Sequence, residues 1–128
     1  MTTTVPAPRE ADVQRDVKAA YEACGCVVAN FSQGYRPGGR RHGTTRQTKG
    51  IPDLYVFPPL RRDQAVAAQA GHPVLYLAPW WHETKRPGGE QTLEQTEWQR
   101  RCQQRGVAYV LGGVAAAVVH LRAIGVVR

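Results

Sequence analysis

The hydrophobic residues near the start of the chain recur at steps of three and four positions, which is the period of an amphipathic helix. This pattern predicts a helix over residues 9–24, ended by Gly25. The apolar positions that define it are Val13, Val17, Ala20, Tyr21 and Cys24. Glu10 falls on the same stripe, and a carboxylate aligned with a buried face is costly unless another group pairs with it. Glu10 is therefore a candidate functional residue.

Short runs rich in β-branched and aromatic residues predict the strands. These runs are residues 26–31, 53–57, 74–78, 80–85 and 107–111. The third and fourth runs form one long strand or two in succession, because Pro79 interrupts them. Pro58 and Pro59 end the second run, since proline cannot donate to a strand ladder.

The remaining patterns predict helices. Thr92 followed by Gln95 is a capping-box start for a helix that runs to about residue 105. Residues 61–70 fit a short helix within an insertion beside the sheet, and residues 114–124 fit a last helix. A helix, then strands, then alternating helix and strand predict an α/β or α+β domain with a central mixed β-sheet flanked by helices, in the order αβββαβα.

Composition bounds this picture without changing it. A mass of 14.1 kDa and a hydrophobic fraction of 42% are typical of one globular domain, which we place at residues 9–128 after a flexible tail at 1–8. No apolar run is long enough to span a bilayer, and the tail lacks the order of a signal peptide. The three cysteines show no CxxC spacing, so we expect reduced thiols in a cytoplasmic protein that is not secreted.

The charge is more informative. Seventeen Lys and Arg against ten Asp and Glu give a net charge of +7, which favours a polyanionic partner, nucleic acid before membrane. Part of this charge lies in a glycine-rich loop over residues 34–50 that contains no acid: Arg36, Arg40, Arg41, Arg46 and Lys49. Taken alone, the loop is explained equally well as a solvated segment or as an arm that grips phosphates.

Two acids and a lysine form the chemical signal. Glu83 and Lys85 are two residues apart in a predicted strand, so they share a face with Trp81. Upstream, Asp53 opens another strand shortly after Gly50. This is the pattern of a divalent-metal phosphodiesterase, in which carboxylates hold Mg²⁺ or Mn²⁺ and a lysine stabilises the phosphate charge.

Each of these residues also has a structural explanation. An Asp after a proline often forms a turn, and Glu83 with Lys85 resembles an ordinary ion pair. A frayed helix start would leave Glu10 in water, and Gln95 is equally explained as half of the capping box. The co-occurrence of Asp53 with the Glu83–Lys85 pair on apolar strands favours a metal site over a structural ion pair. The histidines have no zinc-ligand spacing.

The adjacent tryptophans Trp80 and Trp81 have two readings as well. We expect a packing pair, with stacking on an unpaired base as the alternative. Trp98 is expected to pack against the sheet.

The motifs resemble those of a known nuclease family. "GIPDLYVF" at 50–57 and "WHETKRPGGEQTLEQTEWQRRCQQRGVAYVL" at 81–111 are similar to the PD-(D/E)xK superfamily, and specifically to its VRR-NUC (virus-type replication–repair nuclease) branch. The family order is a helical glutamate, a "G..D" strand, an "E.K" strand, a glycine turn and a helix opening "Q...W". The family commonly has an aliphatic residue between the Glu and the Lys, and Thr84 occupies that position here.

The resemblance implies a small restriction-endonuclease-like core and a metal-dependent endonuclease, often dimeric, that acts on branched or flapped DNA. It implies that Asp53 and Glu83 are the principal metal ligands and that the Thr84 carbonyl is a further one. Glu10 would bind metal directly or through water, and Lys85 would be the catalytic lysine. Gln95 would point back to the site and support Lys85 or the phosphate.

Two function classes follow. The first is a Mg²⁺- or Mn²⁺-dependent DNA endonuclease that selects DNA by shape, with replication, repair, recombination or restriction as its setting. The second is a basic module that binds nucleic acid without cutting it. The carboxylates favour the enzyme, because they repel phosphate unless a cation lies between them.

Overall fold

The structure is a computed structural model that describes residues 6–31, 49–72 and 77–128, with the backbone alone at residues 62 and 63. Within these residues the chain forms four helices and four strands. The helices are α1 (Glu10–Ala23), α2 (Arg62–Gln69), α3 (Leu93–Gln104) and α4 (Val114–Ala123). The strands are β1 (Val27–Asn30), β2 (Leu54–Phe57), β3 (Trp80–Thr84) and β4 (Tyr109–Gly112).

The four described strands form one mixed sheet in the order β1-β2-β3-β4. The pairs β1–β2 and β2–β3 are antiparallel, and β3–β4 is parallel. In the central pair Leu54 lies opposite His82, and Val56 lies opposite Trp80. The predicted α+β class, a central mixed sheet flanked by helices, is confirmed and is consistent with a restriction-endonuclease-like core.

The hydrophobic core lies on one face of the sheet, beneath α1 and α4. It contains alternate residues of the strands, as the period of two requires, together with the buried stripe of each helix. The buried members are Val17, Tyr21, Cys26, Leu54, Val56, Trp80, Val110, Ala117 and Leu121. Burial of this stripe fixes α1 against β3, and it thereby places the first turn of α1 beside the end of that strand.

Several predicted boundaries shift. No strand forms at residues 77–79, and residues 73–76 of the run predicted before Pro79 lie outside the described ranges. Asp53 precedes β2 instead of opening it. The short helix expected at 61–70 is present as α2.

Two further expectations concern the state of the cysteines and the presence of a membrane-spanning helix. All three cysteines are free, and Cys26 and Cys102 are buried, as expected for reduced thiols. In the described part of the chain, no helix combines the length and apolar character that crossing a bilayer requires.

Candidate active site

The pairing of β2 with β3 brings Asp53 and Glu83 together. Leu54 lies opposite His82 in the antiparallel ladder. The next position toward the end of the ladder is Asp53 on one strand and Glu83 on the other, so these two residues meet there. Asp53 Oδ2 accepts hydrogen bonds from the Thr84 backbone N–H at 2.9 Å and from Thr84 Oγ1 at 2.6 Å. These two bonds hold the Asp53 carboxylate against the end of β3.

Glu83 is the most unusual group in the site. It is 0% exposed, although it lies among charged neighbours. Its Oε1 accepts a hydrogen bond from Gln95 Nε2 at 2.6 Å and lies 3.7 Å from Lys85 Nζ. Its Oε2 is buried and has no hydrogen-bond partner among the described residues. Burial, and after it the charge of Asp53, raises the pKa of Glu83 to about 8.

A third carboxylate comes from the first turn of α1. Glu10 Oε1 lies 3.8 Å from Lys85 Nζ, and the Glu10 side chain is 48% exposed. Glu10, Asp53 and Glu83 each offer an oxygen within 4.8 Å of the others. The helix start therefore places Glu10 at the rim of the site, while Val17 and Tyr21 on the same stripe are buried.

The three carboxylates fit a divalent metal ion. Carboxylate oxygens are the ligands that hard cations such as Mg²⁺ and Mn²⁺ prefer, and three of them in one small volume repel one another. Lys85, whose side chain is 12% exposed, offsets only part of this charge. A cation held between Asp53 and Glu83 would supply the partner that Glu83 Oε2 lacks.

Gln95 completes the capping box of α3 and also points to the candidate site. Its Oε1 accepts from the Thr92 backbone N–H at 2.8 Å, and its own N–H donates to Thr92 Oγ1 at 3.2 Å, which completes the capping box of α3. Its Nε2 simultaneously donates to Glu83. The expected support of Lys85 or of the phosphate by Gln95 stays a prediction.

Gly50 fixes the distance between the loop before Asp53 and α3. It has a φ of +84°, and a Cβ at this position would lie 2.3 Å from the Glu94 carbonyl oxygen. Only glycine allows this approach, because any side chain would displace the first turn of α3. Gly50 thus allows the loop before Asp53 to lie against the first turn of α3, which carries Gln95.

A buried chain of hydrogen bonds lies on the opposite side of β3. His82 Nε2 lies 2.9 Å from the Gly112 carbonyl, which can only accept, so Nε2 carries the proton. His82 Nδ1 then accepts from the Tyr21 hydroxyl at 2.6 Å, and Tyr21 accepts from Trp80 Nε1 at 3.2 Å. Burial lowers the pKa of His82 to about 4, so the ring is neutral near pH 7.

The sequence did not reveal this chain of hydrogen bonds. It indicated that His82 faces away from Glu83, which is confirmed, but it assigned Tyr21 only to the apolar stripe of α1. The available signal was a tyrosine on a buried stripe, since a buried hydroxyl requires a partner.

Two further polar residues lie near the site and were missed. Gln91 Nε2 donates to the Tyr109 hydroxyl at 3.2 Å. The pKa of Tyr109 is raised by burial first and then by the negative charge of Glu83, which indicates that the hydroxyl lies within the field of the carboxylates. Tyr109 lies opposite Trp81 in the parallel ladder, on the same face as Glu83.

The predicted phosphate-gripping residues are described only at one end. Lys49 is exposed beside Gly50, whereas Arg36, Arg40, Arg41 and Arg46 lie outside the described residues, so their role stays a prediction. The ligand role of the Thr84 carbonyl stays a prediction as well.

Comparison with known proteins supports the fold. The chain is similar to a solved structure described as a "VRR_NUC domain", with 24% sequence identity and a TM-score of 0.54. The match covers 89% of this chain and 94% of that one. No family model and no curated protein matches the sequence. The chain therefore has the fold expected from its motifs.

Proposed function

We propose that this protein is a Mg²⁺- or Mn²⁺-dependent DNA endonuclease that hydrolyses phosphodiester bonds. The observation that carries the proposal is the buried Glu83 carboxylate, which lies beside Asp53, Glu10 and Lys85. One of its oxygens has no hydrogen-bond partner in the part of the chain that the structure describes. The fold shared with a VRR_NUC domain supports the same reaction.

In this proposal Asp53 and Glu83 hold the metal ion, with the Thr84 carbonyl as a further ligand. Glu10 binds it directly or through a water molecule, which agrees with its exposure at the rim. When bound, the cation lowers the pKa of water and offsets the charge that develops on the phosphate.

The protein's own groups orient the substrate and stabilise charge. Lys85 Nζ lies 3.7 Å from Glu83 and 3.8 Å from Glu10, so it can turn from these carboxylates to a phosphate oxygen and donate to it. Gln95 positions Glu83 through its 2.6 Å hydrogen bond. The hydrogen bond from Gln95 is in place before substrate binds, so Glu83 needs no reorganisation during the reaction.

We propose DNA with branches, flaps or junctions as the substrate. A net charge of +7 and the arm that contains Arg36, Arg40, Arg41, Arg46 and Lys49 would grip phosphates on either side of the cut. One site cuts one strand, so paired incisions across a junction would require a homodimer. The setting would be replication, repair or recombination inside a bacterial or phage-infected cell.

The alternative is a basic module that binds nucleic acid without cutting it. Three carboxylates within 4.8 Å oppose that reading, because they would repel the phosphate unless a cation lay between them.

The test compares Lys85→Ala with Lys18→Ala as a matched control. Lys18 forms an exposed ion pair with Glu22, so its loss removes the same charge away from the site. Labelled linear duplex, flapped and four-way-junction DNA are incubated with each protein in Mg²⁺, in Mn²⁺ and in EDTA. We expect metal-dependent cutting by the wild type and the control, and at least a 100-fold slower rate for Lys85→Ala. Binding without cutting in both metals would leave the binding module as the function.

A further inference from the structure

A row of aromatic rings covers the sheet face that carries Glu83. Trp81 lies at its centre, with ring centroids 4.5 Å from Tyr55, 5.6 Å from Phe31 and 5.8 Å from Trp98. Tyr55 continues the row to Phe57 at 5.2 Å. Phe31 is 39% exposed and Phe57 is 43% exposed, so the two ends of the row reach solvent.

This face is separate from the hydrophobic core. The rings alternate along β2 and β3 with the core residues Leu54, Val56 and Trp80, which point to α1 and α4 on the other side. Phe31 and Phe57 are the exposed members of this row, and an exposed aromatic ring beside a candidate site is available for binding. Helix α3 contributes Trp98 to this face, and the exposed part of the Phe31 ring is the surface that a planar group can contact.

Two rings of the row, Trp81 and Phe31, lie near the candidate metal site. Trp81 is two residues before Glu83 on the same face of β3, which places them roughly 7 Å apart along the strand. The Phe31 backbone N–H donates to the Asp53 carbonyl at 2.7 Å, so the Phe31 ring lies beside the loop that carries Asp53. A nucleotide whose phosphate lies at the carboxylates would have its base within reach of Phe31 and Trp81.

We infer that Phe31 and Trp81 form a stacking site for an unpaired base next to the phosphate held at the metal site. The inference rests on the proposed nuclease function and specifies its substrate as nucleic acid with unpaired nucleotides at the cut. In a duplex both faces of each base are already stacked, so only an unpaired base can present its face to these rings. Stacking on an aromatic ring accepts every base, which suits a site that reads structure instead of sequence.

Charge favours nucleic acid as the occupant of this face. The chain carries +7, which attracts a polyanion, and a dimer formed through another face would keep this attraction. Beside Trp98 a cleft is lined by Lys49, Arg100 and Arg101, and Glu97 forms ion pairs with both arginines. Trp98 Nε1 is buried there without an acceptor among the described residues, and a phosphate or base oxygen could accept its proton.

The experiment compares Phe31→Leu with Phe57→Leu. Both residues are half-exposed phenylalanines in the same row, but Phe57 lies at the far end of β2 and outside the stacking site. Binding of a short single strand and of a blunt duplex is measured in EDTA, with unfolding curves to show that each variant is folded. Phe31→Tyr keeps the ring and should bind as the wild type does.

We expect Phe31→Leu to bind the single strand about 5- to 100-fold more weakly and the blunt duplex within about 2-fold of wild type. Phe57→Leu should bind both as the wild type does. The single strand should also quench the tryptophan fluorescence of the wild type, because Trp81 is half-buried and can stack.

Equal losses for the two variants, or equal losses on both nucleic acids, would overturn the inference. A change in sedimentation from dimer to monomer with Phe31→Leu would overturn it too, by making this face an interface between copies. The cutting assay separates the two proposals. If the wild type cuts DNA but Phe31→Leu binds the single strand normally, the nuclease proposal holds and the stacking site is overturned. If Phe31→Leu weakens single-strand binding but the wild type does not cut, the stacking site holds and the nuclease proposal is overturned.

Discussion

Gln95 Nε2 donates a 2.6 Å hydrogen bond to Glu83 Oε1 while the Oε1 of the same side chain caps α3. One side chain therefore links the start of a helix to the buried carboxylate of the candidate site. The helix cannot move without moving the hydrogen bond that orients Glu83.

The first prediction separates these two roles of Gln95. Gln95→Glu keeps an acceptor for the Thr92 N–H, as in an ordinary capping box, but removes the donor to Glu83. We expect cutting to fall by about 10- to 100-fold, the usual effect of removing a group that orients a metal ligand. Cutting rates and Mn²⁺ binding by calorimetry measure the loss.

Thr92→Ala is the control for the cap. It removes the hydroxyl that accepts from Gln95 N–H, which should lower the free energy of unfolding by about 1 kcal/mol while leaving the Glu83 contact in place. Similar losses of cutting in both variants would show that Gln95 acts only through the helix.

The second prediction concerns pH. Because burial and Asp53 raise the pKa of Glu83 to about 8, the folded protein without metal binds a proton that the unfolded chain releases above its ordinary pKa of 4.5. The stability from this group is full below pH 4.5 and is lost as pH rises through about 8. Between pH 6.5 and 8 the loss should be about 2 kcal/mol.

Urea unfolding in EDTA at pH 6.5 and pH 8 measures this loss. His82 contributes little in that window, because its pKa falls from 6.5 to about 4 on folding and most of its effect lies below pH 6.5. Its remaining effect, about 0.4 kcal/mol, has the opposite sign and raises stability with pH. Glu83→Gln should remove the slope, and Mn²⁺ at pH 8 should restore the stability of the wild type. A wild type whose stability is flat from pH 6.5 to 8 would contradict the raised pKa.

The third prediction tests the close approach at Gly50. Gly50→Ala should destabilise the fold by about 3 kcal/mol or more, because the new Cβ meets the Glu94 carbonyl and the residue must keep a positive φ. Gly88→Ala is the matched control, since Gly88 has a φ of +78° and nothing within 4 Å of its Cβ position. Its cost should be about 1 kcal/mol.

Thermal unfolding of both variants reads the difference. We also expect Gly50→Ala to cut poorly at temperatures where it is folded, because the Gln95 turn must shift. Equal unfolding temperatures for the two variants would show that the clash relaxes without consequence.

The fourth prediction concerns the hydrogen bonds behind β3. Tyr21→Phe removes the hydroxyl that joins Trp80 Nε1 to His82 Nδ1 and leaves both groups buried without a partner. The expected loss is about 1–3 kcal/mol in the free energy of unfolding. Tyr55→Phe is the control, because the Tyr55 ring packs in the aromatic row and no hydrogen bond of its hydroxyl is described. The free energies of unfolding of the two variants, measured with denaturant, should differ by at least half of that loss.

The sequence by itself determined most of the elements and the candidate residues of the site. A period of three to four identified α1, because burial of one helix face imposes that period. Short runs of β-branched and aromatic residues identified β2 and β4. Asp53, Glu83 and Lys85 were recognisable as candidates because acids and a lysine on otherwise apolar strands need an explanation beyond solvation. The α+β class followed from the order of the elements.

Only the tertiary structure decided how these residues meet. Sequence spacing says nothing of the antiparallel register that places Asp53 beside Thr84, or of the turn of α1 that brings Glu10 within 3.8 Å of Lys85. The two functions of Gln95 were indistinguishable in the sequence, because the capping partner is local whereas Glu83 is twelve residues away. The unpaired Glu83 Oε2 and the aromatic row likewise arise from contacts between distant segments, which long-range packing creates and no local pattern records.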